Sequence, residues 1–166
     1  MSQGKITTCL WFDNQAEEAA NHYVSIFAPN SKISNVQRYT SAGQGQHGRE
    51  PGSVMIVEFE LRGNHYVGLN GGPAKWKFSE AISLMVDCKD QDEVDHFWEK
   101  LGEGADHSHQ QCGWLSDKFG VAWQVVPTRL KELLGSEDRD GADRAMGAMM
   151  KMKKLDIEGL EKAFKG

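Results

Sequence analysis

The pattern of apolar and polar positions divides the chain into two similar halves and a dissimilar tail. Ile6 to Phe12 reads as a strand, Asp13-Asn14-Gln15 as a polar break, and Ala16 to Phe27 as a helix. Ala19, Ala20, Tyr23, Ile26 and Phe27 recur at the spacing of one helix face. Asp13 or Asn14 is expected to cap this helix, with Glu17 completing a capping box, and Pro29-Asn30 ends it. The same grammar returns later. Ala81 to Val86 is an apolar run, Asp87 to Asp90 a break, and Asp92 to Leu101 a helix with Val94, Phe97, Trp98 and Leu101 inward. A shift of 74 residues superposes Leu10 on Leu84, Asp13 on Asp87, His22 on His96, Tyr23 on Phe97 and Phe27 on Leu101. Strand, break and helix matching in order indicate a duplicated module.

Strands follow each helix. Ile33 to Thr40, Ser53 to Leu61 and His65 to Asn70 read as β in the first half, with Arg62-Gly63-Asn64 as a hairpin turn. In the second half Gly113 to Ser116 and Val121 to Val126 read as β, joined by Asp117 to Gly120. Residues 102 to 112 are too polar to assign. Ser41 to Gly52 is a Gly-rich loop, expected to be mobile.

The reading is therefore α+β. Two tandem βαβββ modules, 5–75 and 79–127, form one domain over 1–127, and a helical extension covers 128–166. One helix cannot cover both faces of its sheet, so paired curved mixed sheets are expected to enclose a cleft. In the extension, Leu130, Leu133, Leu134, Ala142, Ala145, Met146, Met149, Met150, Met152, Ile157, Leu160, Ala163 and Phe164 are expected to cover apolar surface of the domain or of a partner subunit.

Composition narrows the partners. The 166 residues carry 19 Lys and Arg against 24 Asp and Glu, a net charge of −5, which argues against nucleic acid and anionic membrane as partners. With no long apolar run and no basic-then-apolar start, a cytoplasmic protein is expected. Three widely spaced cysteines, Cys9, Cys88 and Cys112, fit reduced thiols; Cys9 and Cys88 look buried, and Cys112, near His107 and His109, is the one possible nucleophile.

The segments Cys9-Leu10-Trp11-Phe12-Asp13, Ala16-Glu17-Glu18-Ala19, Gly68 to Pro73, Cys112 to Asp117 and Gly120 to Pro127 carry a likeness. They resemble the PhnB-like group, often labelled 3-demethylubiquinone-9 3-methyltransferase, of the vicinal oxygen chelate superfamily that includes glyoxalase I and extradiol dioxygenases. The likeness runs from about residue 5 into the tail. One fold hosts many reactions, so it does not choose among them.

Enzymes of that superfamily place His and Glu ligands on the first and last strands of each module. Carried over, the last-strand position of the second half is Gln124 and its counterpart is Asn70. The opening strands offer Thr7, Thr8 and Cys9, and Ala81, Ile82 and Ser83. These are poor donors for Zn²⁺, Ni²⁺ or Fe²⁺, so no metal ligand and no cofactor is assigned. Glu58 and Glu60 share a strand face read as solvent-facing, with a cleft carboxylate as the alternative. Neither Gly43, Gly45 and Gly48 nor Gly71-Gly72-Pro73 opens a helix of a βαβ unit, as S-adenosylmethionine binding would need.

The expected protein is thus a homodimer whose cleft takes a small apolar or aromatic molecule, with Trp11, Asn70, Ser83, Trp114 and Gln124 as ligand-binding residues. The alternatives are a metal-dependent lyase, isomerase or dioxygenase, a methyltransferase, and an interaction protein that works through its tail.

Overall fold

The computed structural model describes residues 4–166, which fall into two compact units, one ending at Trp76 and the other spanning Lys77–Gly166. In the first unit the order is β1 (Thr8–Phe12), α1 (Ala16–Ile26), β2 (Ser31–Arg38), the short α2 (Gln44–His47), β3 (Val54–Leu61) and β4 (Asn64–Asn70). The sheet order is β1-β4-β3-β2, with β1 parallel to β4 and the other pairs antiparallel.

Helix α1 lies on one face of this sheet. Ala16, Ala19, Ala20, Tyr23 and Ile26 are buried on the helix, and Leu10, Phe12, Val57, Phe59 and Leu61 on the strands. Tyr23 meets Phe59 with ring centroids 6.2 Å apart, and Phe59 stacks on Tyr66 at 5.4 Å. Gly68 lets the helix start close to the sheet, because a Cβ there would stand 3.1 Å from the Ala16 Cβ. The alternation of β structure sends the remaining side chains, Cys9, Trp11, Val67, Leu69, Ile56 and Glu58, to the opposite face.

The Gly-rich loop expected to be mobile contains α2 and is tied down. The Tyr39 and His47 rings lie 4.7 Å apart, and the Arg49 guanidinium donates to the Asp13 carbonyl at 2.9 Å.

The second unit repeats the start of this plan: β5 (Leu84–Cys88), α3 (Gln91–Gly102), a 3-10 turn at His107–His109, β6 (Trp114–Ser116) and β7 (Ala122–Pro127). Its sheet order is β5-β7-β6, with β5 and β7 parallel. This sheet has three strands, since the unassigned polar stretch forms the turn and a single bridge from Gln111 to Trp114. Val94, Phe97 and Leu101 of α3 are buried, as are Val86, Leu115, Trp123 and Val125 on the strands.

The extension forms α4 (Thr128–Leu134), α5 (Arg139–Met149) and α6 (Ile157–Lys165) within the second unit. Leu130, Leu133, Ala145, Leu155 and Leu160 join Val126 in one buried cluster, with Met149 and Met152 packed against it. Gln91 stitches the start of α3 to this tail, donating to the Leu155 carbonyl at 3.1 Å and accepting from the Ile157 N–H at 3.0 Å. No helix among the described residues is long and apolar enough to cross a membrane.

Asp117 organises the turn between β6 and β7. Its Oδ1 accepts from the N–H groups of Phe119 at 2.8 Å and Val121 at 3.0 Å, and its Oδ2 from the Trp123 indole at 2.8 Å. With Asp117 buried, its removal strands the Val121 N–H and the Trp123 indole away from water and unpairs the half-buried Phe119 N–H. Asp117→Ala should lower unfolding stability by about 3 kcal/mol or more, and Asp117→Asn by less, in urea denaturation of the full chain.

Candidate functional site

The five ligand-binding residues expected from the sequence separate into two groups, one in each unit. Trp11 and Asn70 belong to the first, but they point to opposite faces of its sheet. Paired residues on neighbouring strands share a face. Trp11 is paired with Leu69, and Asn70 with the buried Phe12. Asn70 is 5% exposed and faces α1. Its Oδ1 accepts from the Ala16 N–H at 2.8 Å, its Nδ2 donates to the Val54 carbonyl at 3.1 Å, and its own carbonyl accepts from the Tyr39 hydroxyl at 2.7 Å. Its side chain therefore caps α1 from another strand. Neither Asp13 nor Asn14 does so: the residue at the cap position is Gln15, with no side-chain bond to the helix.

The correspondence of Asn70 with Gln124 is off by one residue. Leu10 pairs with Gly68 in the first sheet and its repeat partner Leu84 pairs with Trp123 in the second, so Gln124 corresponds to Leu69. A single-residue slip moves a side chain from one sheet face to the other.

The uncovered face of the first sheet carries a row of His65, Glu60 and Lys32 and, nearer Trp11, two further rows. One runs Trp11, Leu69, Ile56, Gln37 and the other Cys9, Val67, Glu58, Asn35. Trp11 is 37% exposed, and its indole N–H donates to the Gly72 carbonyl at 2.9 Å. The indole crosses Gly71, where a Cβ would fall 2.1 Å from the ring, so Gly71-Gly72 serves as a seat for tryptophan. Trp76, itself 66% exposed, meets Trp11 edge-on at 5.9 Å. Glu58 is half-buried, and its Oε1 accepts from Asn35 Nδ2 at 3.3 Å and Gln37 Nε2 at 3.4 Å. Cys9 lies exposed on this face, contrary to the expectation of a buried thiol, while partial cover of its sulfur pushes its pKa up.

In the second unit, Ser83, Trp114 and Gln124 do meet. Gln124 pairs with Met85 on one side and Trp114 on the other, and its Nε2 donates to the Ser83 hydroxyl at 2.8 Å. The result is a half-buried patch of one amide, one hydroxyl, an indole and the exposed Met85. Two surface depressions of about 520 and 490 Å³ in this unit lie elsewhere and contain none of these residues. One is lined by Trp98, Lys100, His107 and Gln110, the other by Asp90, Arg129, Asp156 and Glu161. Their largely charged linings share no residue with the sheet faces, so they are surface relief rather than the candidate site.

The donors do not suit a divalent ion. On the uncovered faces the first and last strands supply Cys9, Trp11, Val67 and Leu69, and Met85 and Gln124, with Ser83 just before β5. Among the described residues, no group of three or more His, Cys, Asp or Glu side chains is placed to hold a metal. S-adenosylmethionine fits no better. The helices that follow β1 and β5 open on Asp13-Asn14-Gln15 and Lys89-Asp90-Gln91, without a glycine, and the Gly43 loop leads from β2 to its antiparallel neighbour β3.

A family model described as 3-demethylubiquinone-9 3-methyltransferase matches residues 4–126. A PhnB protein of Bacillus cereus, provisionally given the same description, is 33% identical; the match covers 75% of this chain and 99% of that one, with a TM-score of 0.63. A Staphylococcus aureus protein of known structure is 32% identical over 75% of this chain and 97% of its own, with a TM-score of 0.32. The Pseudomonas aeruginosa protein PA1353 shares the fold at 16% identity and a TM-score of 0.55, over 74% of this chain and 96% of that one. No curated protein matches the chain.

The bonds of Asn70 define its variants. Asn70→Ala removes a helix cap and leaves a buried N–H unpaired, at a cost of about 2–3 kcal/mol in urea unfolding. Asn70→Asp keeps an acceptor for Ala16 but places it against the Val54 carbonyl, so it should also destabilise.

Proposed function

The chain belongs to the 3-demethylubiquinone-9 3-methyltransferase family, and within it we propose a protein that binds a small molecule with an apolar or aromatic body and a hydrogen-bond-donating group. The binding surface is the uncovered face of the first sheet. The observation that carries this reading is the placement of Glu58, a half-buried carboxylate beside Val67 and Ile56, one row from the Trp11 indole and one row from Glu60, which has Lys32 and His65 as its own partners. Two amides hold one oxygen of Glu58 and orient the group. An aromatic body lies against Trp11 and Trp76, where ring contacts and apolar cover favour it, and its donor reaches the carboxylate. A protonated amine suits both features, since the indole face also attracts a cation.

The Ser83, Trp114 and Gln124 patch supports a second contact surface of the same character, neutral where the first is acidic. A vicinal oxygen chelate protein without the superfamily's usual ion is the reading these donors favour over a metal-dependent lyase, isomerase or dioxygenase. A homodimer accords with it. Strands β1 and β5 each end the order of their own sheet and present Trp11 and the exposed Met85. Light scattering of the full chain should return twice the monomer mass.

The binding proposal is tested by following tryptophan fluorescence while titrating matched ring compounds that bear either an alkylamine or a carboxylate. The amines should bind and the acids should not. Glu58→Gln should weaken amine binding by about tenfold or more, the worth of a charge-assisted hydrogen bond, and Trp11→Ala should weaken it too. Equal affinity for amines and acids, or amine binding indifferent to both variants, overturns the proposal.

A further inference from the structure

We propose that the second unit carries a site for a soft monovalent cation, Cu(I), formed by Cys112 and Met150, with Met146 one helical turn before Met150. The Cys112 thiol and the Met150 thioether come from chain segments 38 positions apart, yet their sulfurs stand 3.9 Å from each other. At metal–sulfur bonds of about 2.3 Å, that separation corresponds to an S–metal–S angle of about 116°, close to trigonal. Two sulfurs already at this spacing need little rearrangement to share one ion.

Backbone bonds hold the pair in place. The Cys112 N–H donates to the Met152 carbonyl and the Gly113 N–H to the Lys153 carbonyl, both at 2.8 Å. The chain just beyond Met150 is thereby clamped to the cysteine. Cys112 takes φ +52°, a left-handed conformation that a side chain adopts only under constraint, and Gly113 follows at φ +83°. At Gly113 a Cβ would come within 2.9 Å of the Val125 carbonyl, so the clamp closes tightly against β7.

A third donor stands one helical turn away. The Met150 N–H donates to the Met146 carbonyl at 3.0 Å, so the helix geometry continues and the two methionines share a face. They are 42% and 53% exposed, whereas Met149 and Met152 pack on the tail cluster. The methionines of the tail thus divide into one pair that covers the core and one exposed pair, of which Met150 touches a thiol.

Thiolate and thioether donors together select Cu(I) over harder ions, and one thiol with no carboxylate or imidazole cluster is a poor match for Zn²⁺. Binding replaces the S–H proton of Cys112 by the metal and releases that proton to solvent, with no change of oxidation state. This site is separate from the sheet face assigned to the small molecule.

The test is anaerobic titration of the full-length protein with Cu(I) against a chromophoric Cu(I) chelator, with sulfur coordination read by X-ray absorption. One Cu(I) per chain with two or three sulfur ligands is expected. Met150→Leu should weaken binding by at least about tenfold, as the loss of even an outer-shell partner typically does, and Cys112→Ser should abolish it. Met150 is exposed, so its leucine variant keeps the fold, to be checked by circular dichroism, and the result stands apart from any folding defect of Cys112→Ser. Cys9→Ser, in the first unit, should bind as the parent does. Parent-like affinity of Met150→Leu, loss of binding in Cys9→Ser, or equal competition by Zn²⁺ overturns the proposal.

Discussion

The Asn70 side chain determines which face of the first sheet is left uncovered. Through it the last strand of the unit receives the first turn of α1, and the same amide fastens the beginning of β3. A helix start has N–H groups with no partner of their own, and a buried start must find one elsewhere. Here the partner lies in a strand 54 positions downstream, so α1 is seated on the strand face that carries Asn70, Gly68 and Phe12. The opposite face, with Trp11 and Glu58, is open as a consequence. An amide buried under the helix thereby sets which side chains of the sheet face away from it.

Much of the architecture was legible from periodicity alone. The faces of α1 and α3 read as amphipathic helices because Tyr23 and Phe97 each anchor a stripe of buried residues, and α+β order with a duplicated strand and helix followed. The cap of α1 was hidden because Asp13 and Asn14 are good local candidates, while the acceptor that caps it, the Asn70 Oδ1, is remote in sequence. Residues 102–112 concealed a 3-10 turn, since polar runs carry no period by which to recognise it. The Gly-rich loop looked free because the Arg49 to Asp13 bond spans 36 positions. The cap and the loop each turn on a contact between distant segments.

The site was half legible. Ser83, Trp114 and Gln124 come together because they lie on one face of adjacent strands, which alternation anticipates once the pairing is known. Asn70 was misplaced because a polar residue in an apolar strand looks like a functional one, and only the register with Phe12 shows that it faces the helix. Glu58 keeps both readings its strand face allows, solvent side and cleft carboxylate. With Phe59 and Val57 inward, its face reads as solvent, yet no helix of the unit other than α1 and the four-residue α2 is available to mark that face as either surface or site. An uncovered sheet face and a binding face have the same alternation, and composition along the strand does not separate them.

The seat beneath Trp11 has a consequence for how related sequences vary. The indole occupies the volume that any side chain at Gly71 would need, and its N–H depends on the Gly72 carbonyl. The two positions therefore form one unit of inheritance. A lineage that exchanges Trp11 for a smaller residue frees position 71 to diversify, whereas one that retains the tryptophan holds the glycine as well. Paired substitution at 11 and 71 is then a mark, visible in an alignment, of a family branch that has reshaped this end of the sheet.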